Sequence, residues 1–361
     1  MNLHRLGTIM GIELRQRVRS VAWYVLLGVF AVVLIAVMAL SLSTFAASSD
    51  GSQWFFSLVI MLVLLLTLLI SPTLSGSAVN GDRDTATLAP VQVTLVTTAE
   101  IVVGKFLAAW VSGLAFLVVA LPFVVVATLA GELDPGTIVA ALVVLVVEVG
   151  IVAAIGVGLS AVVARPLFSV ASTYLVVAAL TIGTLIAFGL GGTALRTEQT
   201  TVTRDIDWAA LPPGCDPYSA TGSGTCPTFE ELECIESTYV SEVPRFDRVW
   251  WLLAANPFVV LADAVPPTYD AQGYPRDLFG QIASGVRAAQ TPPDDRFSYD
   301  GCTLPSNQPG GASPEQQAEG TSPSWFVGLL VQLVIAAGLM LWGIARTRTP
   351  AKRLPPGTRI A

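Results

Sequence analysis

Six uninterrupted apolar runs, at about 22–43, 54–76, 104–130, 137–163, 168–191 and 325–345, constrain this chain more than any other feature. Each matches the roughly 20 residues a helix needs to cross a hydrocarbon core about 30 Å thick. Each carries few or no charges, and a central charge costs about 2.5–3.5 kcal/mol on insertion scales. Continuous apolarity, rather than a two-residue alternation, selects helices over a barrel. Composition agrees: 12% of the 361 residues are charged, against about 25% in a soluble domain. The expected fold class is an all-α integral membrane protein with six transmembrane helices.

Orientation follows from Lys and Arg. Arg5, Arg15, Arg17 and Arg19 precede the first run, Arg83 and Lys105 flank the connection between the second and third, and Arg165 lies between the fourth and fifth. Arg346, Arg348, Lys352, Arg353 and Arg359 follow the last, whereas the opposite connections 44–53 and 131–136 hold no Lys or Arg. The long segment 192–324 has seven basic and eighteen acidic residues, but long segments translocate largely regardless of charge. Both termini are therefore expected in the cytoplasm, with the chain multi-pass in the cell membrane of a bacterium. About twenty residues precede the first run, which is longer than a signal core, so that helix is expected to be retained.

The organisation expected is a cytoplasmic interfacial helix at 1–20, spans 1 to 5 over 21–191, an extracytoplasmic segment at 192–324, a sixth span at 325–345 and a basic tail at 346–361. In the first segment Leu6, Met10, Leu14 and Val18 recur every four residues, with Arg15, Arg17 and Arg19 on other faces near anionic headgroups. All four cysteines, Cys215, Cys226, Cys234 and Cys302, fall in 192–324, which predicts two disulfides in an oxidising compartment with the pairing open. Residues 249–265 are apolar but broken at Asn256-Pro257, the pattern of a re-entrant or interfacial helix pair. The Pro-, Gly-, Ser- and Gln-rich stretch 291–324 predicts a flexible tether pinned at Cys302.

Glu148 in span 4 and Gln332 in span 6 are the intramembrane polar candidates, either a functional site or an interhelical clamp. Gly150, Ala154 and Gly158 form a small-residue stripe suited to close helix packing. No HExxH, GxSxG or GxxxxGK[ST] stretch occurs, and the single His is His4. Catalytic and metal-ligating residues are not expected, nor is a nucleic-acid partner. If the protein moves something uphill, the energy must come from elsewhere.

The polar connection Gly81–Lys105 bears on that source. Asp82, Arg83 and Asp84 are followed by Thr87-Leu88, Thr94, Thr97, Glu100-Ile101 and Gly104-Lys105. This order resembles the first cytoplasmic loop of the type-2 permeases of ATP-binding-cassette (ABC) transporters, with Ala86 where Gly is usual and Leu95 where Pro is usual. Ser160-Ala161, Arg165, Ala171 and Tyr174 are similar to that family's passage from span 4 to span 5, and Asn256-Pro257 to its segment before the last span. The resemblance implies an exporter permease working as a dimer with a second copy or homologue. It also implies an ATPase dimer that binds ATP and Mg on its own chains and docks on loop 80–105 and the N-terminal helix. Asp82, Arg83, Thr85, Thr87, Leu88, Val91 and Glu100 are the docking residues this implies, while Lys105 is expected to snorkel to lipid headgroups. A membrane sensor with a ligand-binding outer domain and an ion-coupled secondary transporter are the alternatives.

Overall fold

The computed structural model describes residues 2–45, 51–84, 97–129, 133–207, 209, 233–302 and 312–347. The chain opens with α1 (Leu3–Val18), whose N-cap Asn2 accepts the His4 N–H, and turns at Arg19 into α2 (Val21–Phe45). Then follow α3 (Gly51–Ser75), the short α4 (Asn80–Asp84), α5 (Thr98–Leu129) and α6 (Pro135–Val162). The fifth apolar run is α7 (Pro166–Ala178), a π-turn (Ala179–Gly183) and α8 (Thr184–Ala194). Beyond it come strands β1 (Arg196–Ile206) and β2 (Cys234–Pro244), then α9 (Trp250–Ala254) and α10 (Pro257–Ala264). The chain continues through α11 (Leu278–Ala288), β3 (Arg296–Asp300), α12 (Pro314–Glu319) and α13 (Trp325–Thr347).

Six helical stretches are long and apolar enough to cross a membrane: Val21–Ser41, Gly51–Asp82, Thr98–Leu129, Pro135–Val162, Pro166–Ala194 and Trp325–Thr347. Their surface supports that environment. Val25, Val29 and Val32 of α2, Leu175, Ile186 and Leu190 of the fifth run, and Leu330, Val334 and Leu341 of α13 stand exposed, far more apolar surface than water tolerates on a monomer. At the centre is α6, apolar all round and packed by α3, α5, α7, α10 and α13. Its Gly158 lies against the Leu339 backbone of α13, where a Cβ would come within 2.8 Å.

The structure is mostly helical, as expected, and the segment between the fifth and sixth spans adds a small sheet to it. The sheet has three strands in the order β2-β1-β3, antiparallel on one side and parallel on the other, with Thr201 opposite both Tyr239 and Phe297. The signal was local: "TTVTRDI" and "STYVSEV" concentrate the β-branched and aromatic residues that fit a pleated surface. Part of the expected tether is also ordered. Residues Arg296–Asp300 form β3, and α12 starts in a capping box between Ser313 and Gln316 with Pro314 at its first position. Cys234, at the start of β2, is joined to Cys302, just past β3, so the bridge spans the sheet across β1. Cys215 and Cys226 lie outside the described residues.

The helix pair α9–α10 returns toward the bundle and is met there by α13. A Cβ at Gly328 would lie 1.9 Å from the Ala254 carbonyl oxygen. Gly328→Ala is thus expected to cost about 1–3 kcal/mol by overpacking, read as a lower melting temperature in detergent. Gly338→Ala on the same helix, with nothing within 4 Å of the new methyl, should change it little. Equal effects would mean that this contact does not matter.

Candidate functional site

Polar side chains gather at the end of the bundle that carries α1. They start from a helix cap. Thr97 precedes α5, and its N–H donates to Glu100 Oε2 at 2.9 Å while the Glu100 N–H donates to Thr97 Oγ1 at 3.3 Å. This is a capping box, the reciprocal satisfaction of otherwise orphaned donors. The other carboxyl oxygen of Glu100 accepts the Asn2 N–H at 2.7 Å, so the same side chain docks the start of α1 on the start of α5. Glu100 is only 2% exposed. It was expected as a group offered to a partner; the structure commits it internally instead. The Thr-x-x-Glu spacing before an apolar run was the available sign.

One turn further along α5 comes the ion cluster. Gly104 lets α1 approach, since a Cβ there would lie 2.9 Å from Ile9. Lys105 follows, 3% exposed, with its ammonium paired to Glu13 of α1 and, at 2.7 Å, to Asp82 of α4. The snorkelling expected for Lys105 is therefore corrected. Two carboxylates hold the ammonium, and leaving them would strip each of its partner at the bundle edge. Asp82 is a third exposed, and its polar side faces inward. Arg17 also turns inward rather than to headgroups: its Nη2 donates to the Leu74 carbonyl at 2.8 Å, at the end of α3.

The start of the connection is anchored on α6. Ser160 Oγ accepts the N–H groups of Val79 and Asn80 at 2.9 and 3.1 Å and donates to Asn80 Oδ1 at 3.1 Å. Asn80 Nδ2 donates to the Val163 carbonyl at 3.2 Å. So both flanks of loop 80–105 are tied down, one to α6 and the other to α1. The expected docking residues Thr85, Thr87, Leu88 and Val91 lie outside the described residues, as does the side chain of Arg83. Sequence reading placed the loop but missed Glu13, Asn80 and Ser160 as its supports.

The sheet end has a second network. Asn256, at the break between α9 and α10, caps α10 through Oδ1. Its Nδ2 donates to the Thr181 carbonyl at 2.6 Å and Thr184 Oγ1 at 3.1 Å. The π-turn supplies that carbonyl, because its wider hydrogen-bond spacing disrupts the α ladder there. Asp263 of α10, whose side chain is fully buried, accepts from Arg287 Nε at 2.8 Å, from the Ser324 N–H and Oγ, and from the Trp325 N–H at 3.1 Å. It thereby caps α13 from another element.

Within the bundle, Glu148 and Gln332 are brought together, both fully buried. Gln332 Nε2 donates to the Ala255 carbonyl at 3.1 Å, tying α13 to α9–α10. Neither Glu148 oxygen completes a well-formed hydrogen bond, and no cation pairs with it among the described residues. An almost wholly apolar cavity of about 700 Å³ opens between α3, the π-turn of the fifth span, α10 and α11, with Leu68, Tyr174, Thr181, Asn256 and Ile282 in its wall.

The sequence matches no protein-family model, and a comparison with curated proteins gives no match. Geometry and sequence alone therefore bear on function. Among the described residues, no three His, Cys, Asp or Glu side chains gather as metal ligands.

Proposed function

We propose that this chain is the membrane permease subunit of an ATP-driven ABC transporter, an exporter, energised by a separate ATPase dimer that docks on loop 80–105 and α1. The observation that carries the reading is the Glu13–Lys105–Asp82 cluster. It joins α1, the far end of the second span and the start of the third into one unit at the foot of a polar loop. Force applied to that loop is passed to two spans rather than absorbed by a slack connector. The Ser160–Asn80 bonds extend the same unit to α6.

Lacking a GxxxxGK[ST] loop of its own, the chain leaves ATP and Mg to the partner. Both termini and loop 80–105 lie in the cytoplasm, where the Lys and Arg distribution puts them. We place the substrate path along the 700 Å³ cavity, with its open side toward a second permease copy. Its apolar wall suits an amphipathic or hydrophobic substrate.

Copurification tests this. A tagged chain purified from its native membrane is expected to bring down an ATPase. Replacing 85–93 by a Gly/Ser linker should reduce that recovery at least about tenfold, the loss of one strong contact. A chain that purifies without any ATPase, yet moves substrate on an imposed ion gradient, would sink the proposal.

A further inference from the structure

Gly285 of α11 lines two cavities at once. One is the apolar cavity of about 700 Å³. The other, of about 410 Å³, lies between Phe188, Pro244, Phe246, Ala288, Thr291 and Pro293. Their walls continue along the same helix faces. On the fifth span Ala178, Thr181, Leu185 and Phe188 follow one another at steps of three and four residues, as do Gln281, Gly285 and Ala288 on α11. Residues at such steps are neighbours on one face, so the two cavities are parts of one groove. Gly285 stands where they join, and a Cβ there would meet nothing within 4 Å.

We propose that this groove binds a long-chain amphiphile with an uncharged head, its hydrocarbon in the larger cavity and its head in the smaller. Length is the first argument. Phe188 is fourteen residues beyond Tyr174, about 21 Å at 1.5 Å per residue. Carbon–carbon bonds of about 1.5 Å meeting at about 111° advance about 1.25 Å per carbon, so about eighteen carbons span the groove. Width is the second. The larger cavity follows the span from Tyr174 to Leu185, about 16 Å, so its mean cross-section is about 40 Å², half that of a helix about 10 Å across. A second copy packed against the groove therefore covers it without filling it. Leu65, Leu69, Ile182 and Leu185 on the rim are 42%, 51%, 60% and 52% exposed, so a hydrocarbon chain arrives over apolar surface.

Depth and chemistry fix the head. Phe188 stands eight residues from the middle of Pro166–Ala194, about 12 Å, just inside the core boundary about 15 Å from the centre. The smaller cavity thus lies at the headgroup level on the side of the sheet, bounded by Pro244 at the end of β2 and by Thr291 and Pro293 beyond α11. Among the described residues no Lys, Arg, Asp or Glu lines either cavity, and a charged head would be desolvated there without a partner. More of the smaller cavity is polar, and the Phe188 and Phe246 rings, with centroids 4.9 Å apart, form part of its wall. That mixture suits a hydroxyl-bearing head such as glycerol or a sugar. The site names a cargo class for the proposed exporter and rests on that reading only as cargo. Binding is read without the ATPase, so a failed copurification leaves the site standing, and a failed labelling leaves the ATPase partner standing.

The test places the full chain in phosphatidylcholine nanodiscs with a monoacylglycerol carrying a diazirine at its chain end, and maps labelled residues by mass spectrometry. An eighteen-carbon probe is expected to label near Tyr174 and Leu69, and a ten-carbon probe near Thr181 and Ile182. The eighteen-carbon chain with a phosphocholine or carboxylate head should label at least about fivefold less. Gly285→Trp should cut the deep labelling at least about tenfold by filling the junction. Gly338→Trp, on α13 and equally free of neighbours within 4 Å, should change it less than about twofold. Full labelling in Gly285→Trp would overturn the site. So would labels at one depth for both chain lengths, or spread evenly over the exposed faces of α2 and α13, which is ordinary lipid contact. The chain-length comparison uses the unaltered protein and decides the matter even if Gly285→Trp does not fold. Equal labelling by the charged-head probes would overturn the uncharged head. Cross-links between copies through Ile182 in place of probe labelling would make the groove a protein interface and overturn the proposal.

Discussion

Asp263→Ala is expected to destabilise the protein by about 3–5 kcal/mol, the cost of breaking a buried ion pair by removing one partner. Its carboxylate takes the Arg287 guanidinium and three donors at the start of α13, all at a fully buried position. Truncation leaves a nearly buried cation with no counter-charge and the first turn of the last span without its cap. Asp263→Asn should fall between, since an amide oxygen still accepts from Ser324 and Trp325 but carries no charge for Arg287. The double change Asp263→Ala with Arg287→Met should cost less than the sum of the two, because no unpaired buried charge remains. Denaturation of the parent, the three single variants and the double variant in detergent measures all of this. An Asp263→Ala protein within about 1 kcal/mol of the parent, against the cost expected for a broken buried pair, would remove Asp263 as the lock between α10, α11 and α13.

Lys105→Ala is the second large effect, with an expected local cost of about 3 kcal/mol. Glu13 and Asp82 bind one ammonium, so without it two acids face each other at the junction of α1, α4 and α5. Most of the loss should come from Glu13. Its side chain is 16% exposed against 33% for Asp82, and solvent screens the more open pair. The consequence is release of α1, seen as amide hydrogen exchange in α1 faster by about a hundredfold, the rate equivalent of that energy. Adding Glu13→Gln and Asp82→Asn should recover part of the protection, because the repulsion is gone. Unchanged exchange in α1 would mean that the contacts of Glu100 and Gly104 hold the helix alone. In the transport proposal, the same variant should uncouple ATP hydrolysis from substrate movement.

Several site features had local signatures. The capping box at Thr97 and Glu100 obeys a spacing visible in four residues, and the break at Asn256-Pro257 follows from a missing N–H and a fixed φ. The sheet was also locally marked by the β-branched and aromatic residues of β1 and β2, within a segment whose acidic composition and proline clusters are those of a loop. The pairing of Lys105 has no such local signature. A lysine beside an apolar run is compatible with snorkelling or with a buried pair, and its partner Glu13 stands 92 residues away. Glu148 and Gln332 could each be recognised as costly in lipid, but their meeting across two spans could not.

What the sequence determined by itself is the set of six spans and the polar connection at 80–105. Hydrocarbon thickness imposes a length, and burial of charge imposes a cost, on each stretch independently of the others. The tertiary structure alone decided which charges neutralise which and which helix faces line the same groove. Those outcomes depend on where α1 docks, how closely Gly104 and Gly328 let backbones approach, and which carbonyl a π-turn leaves open. Pairings between elements far apart in the chain follow from packing geometry, and no local pattern encodes them.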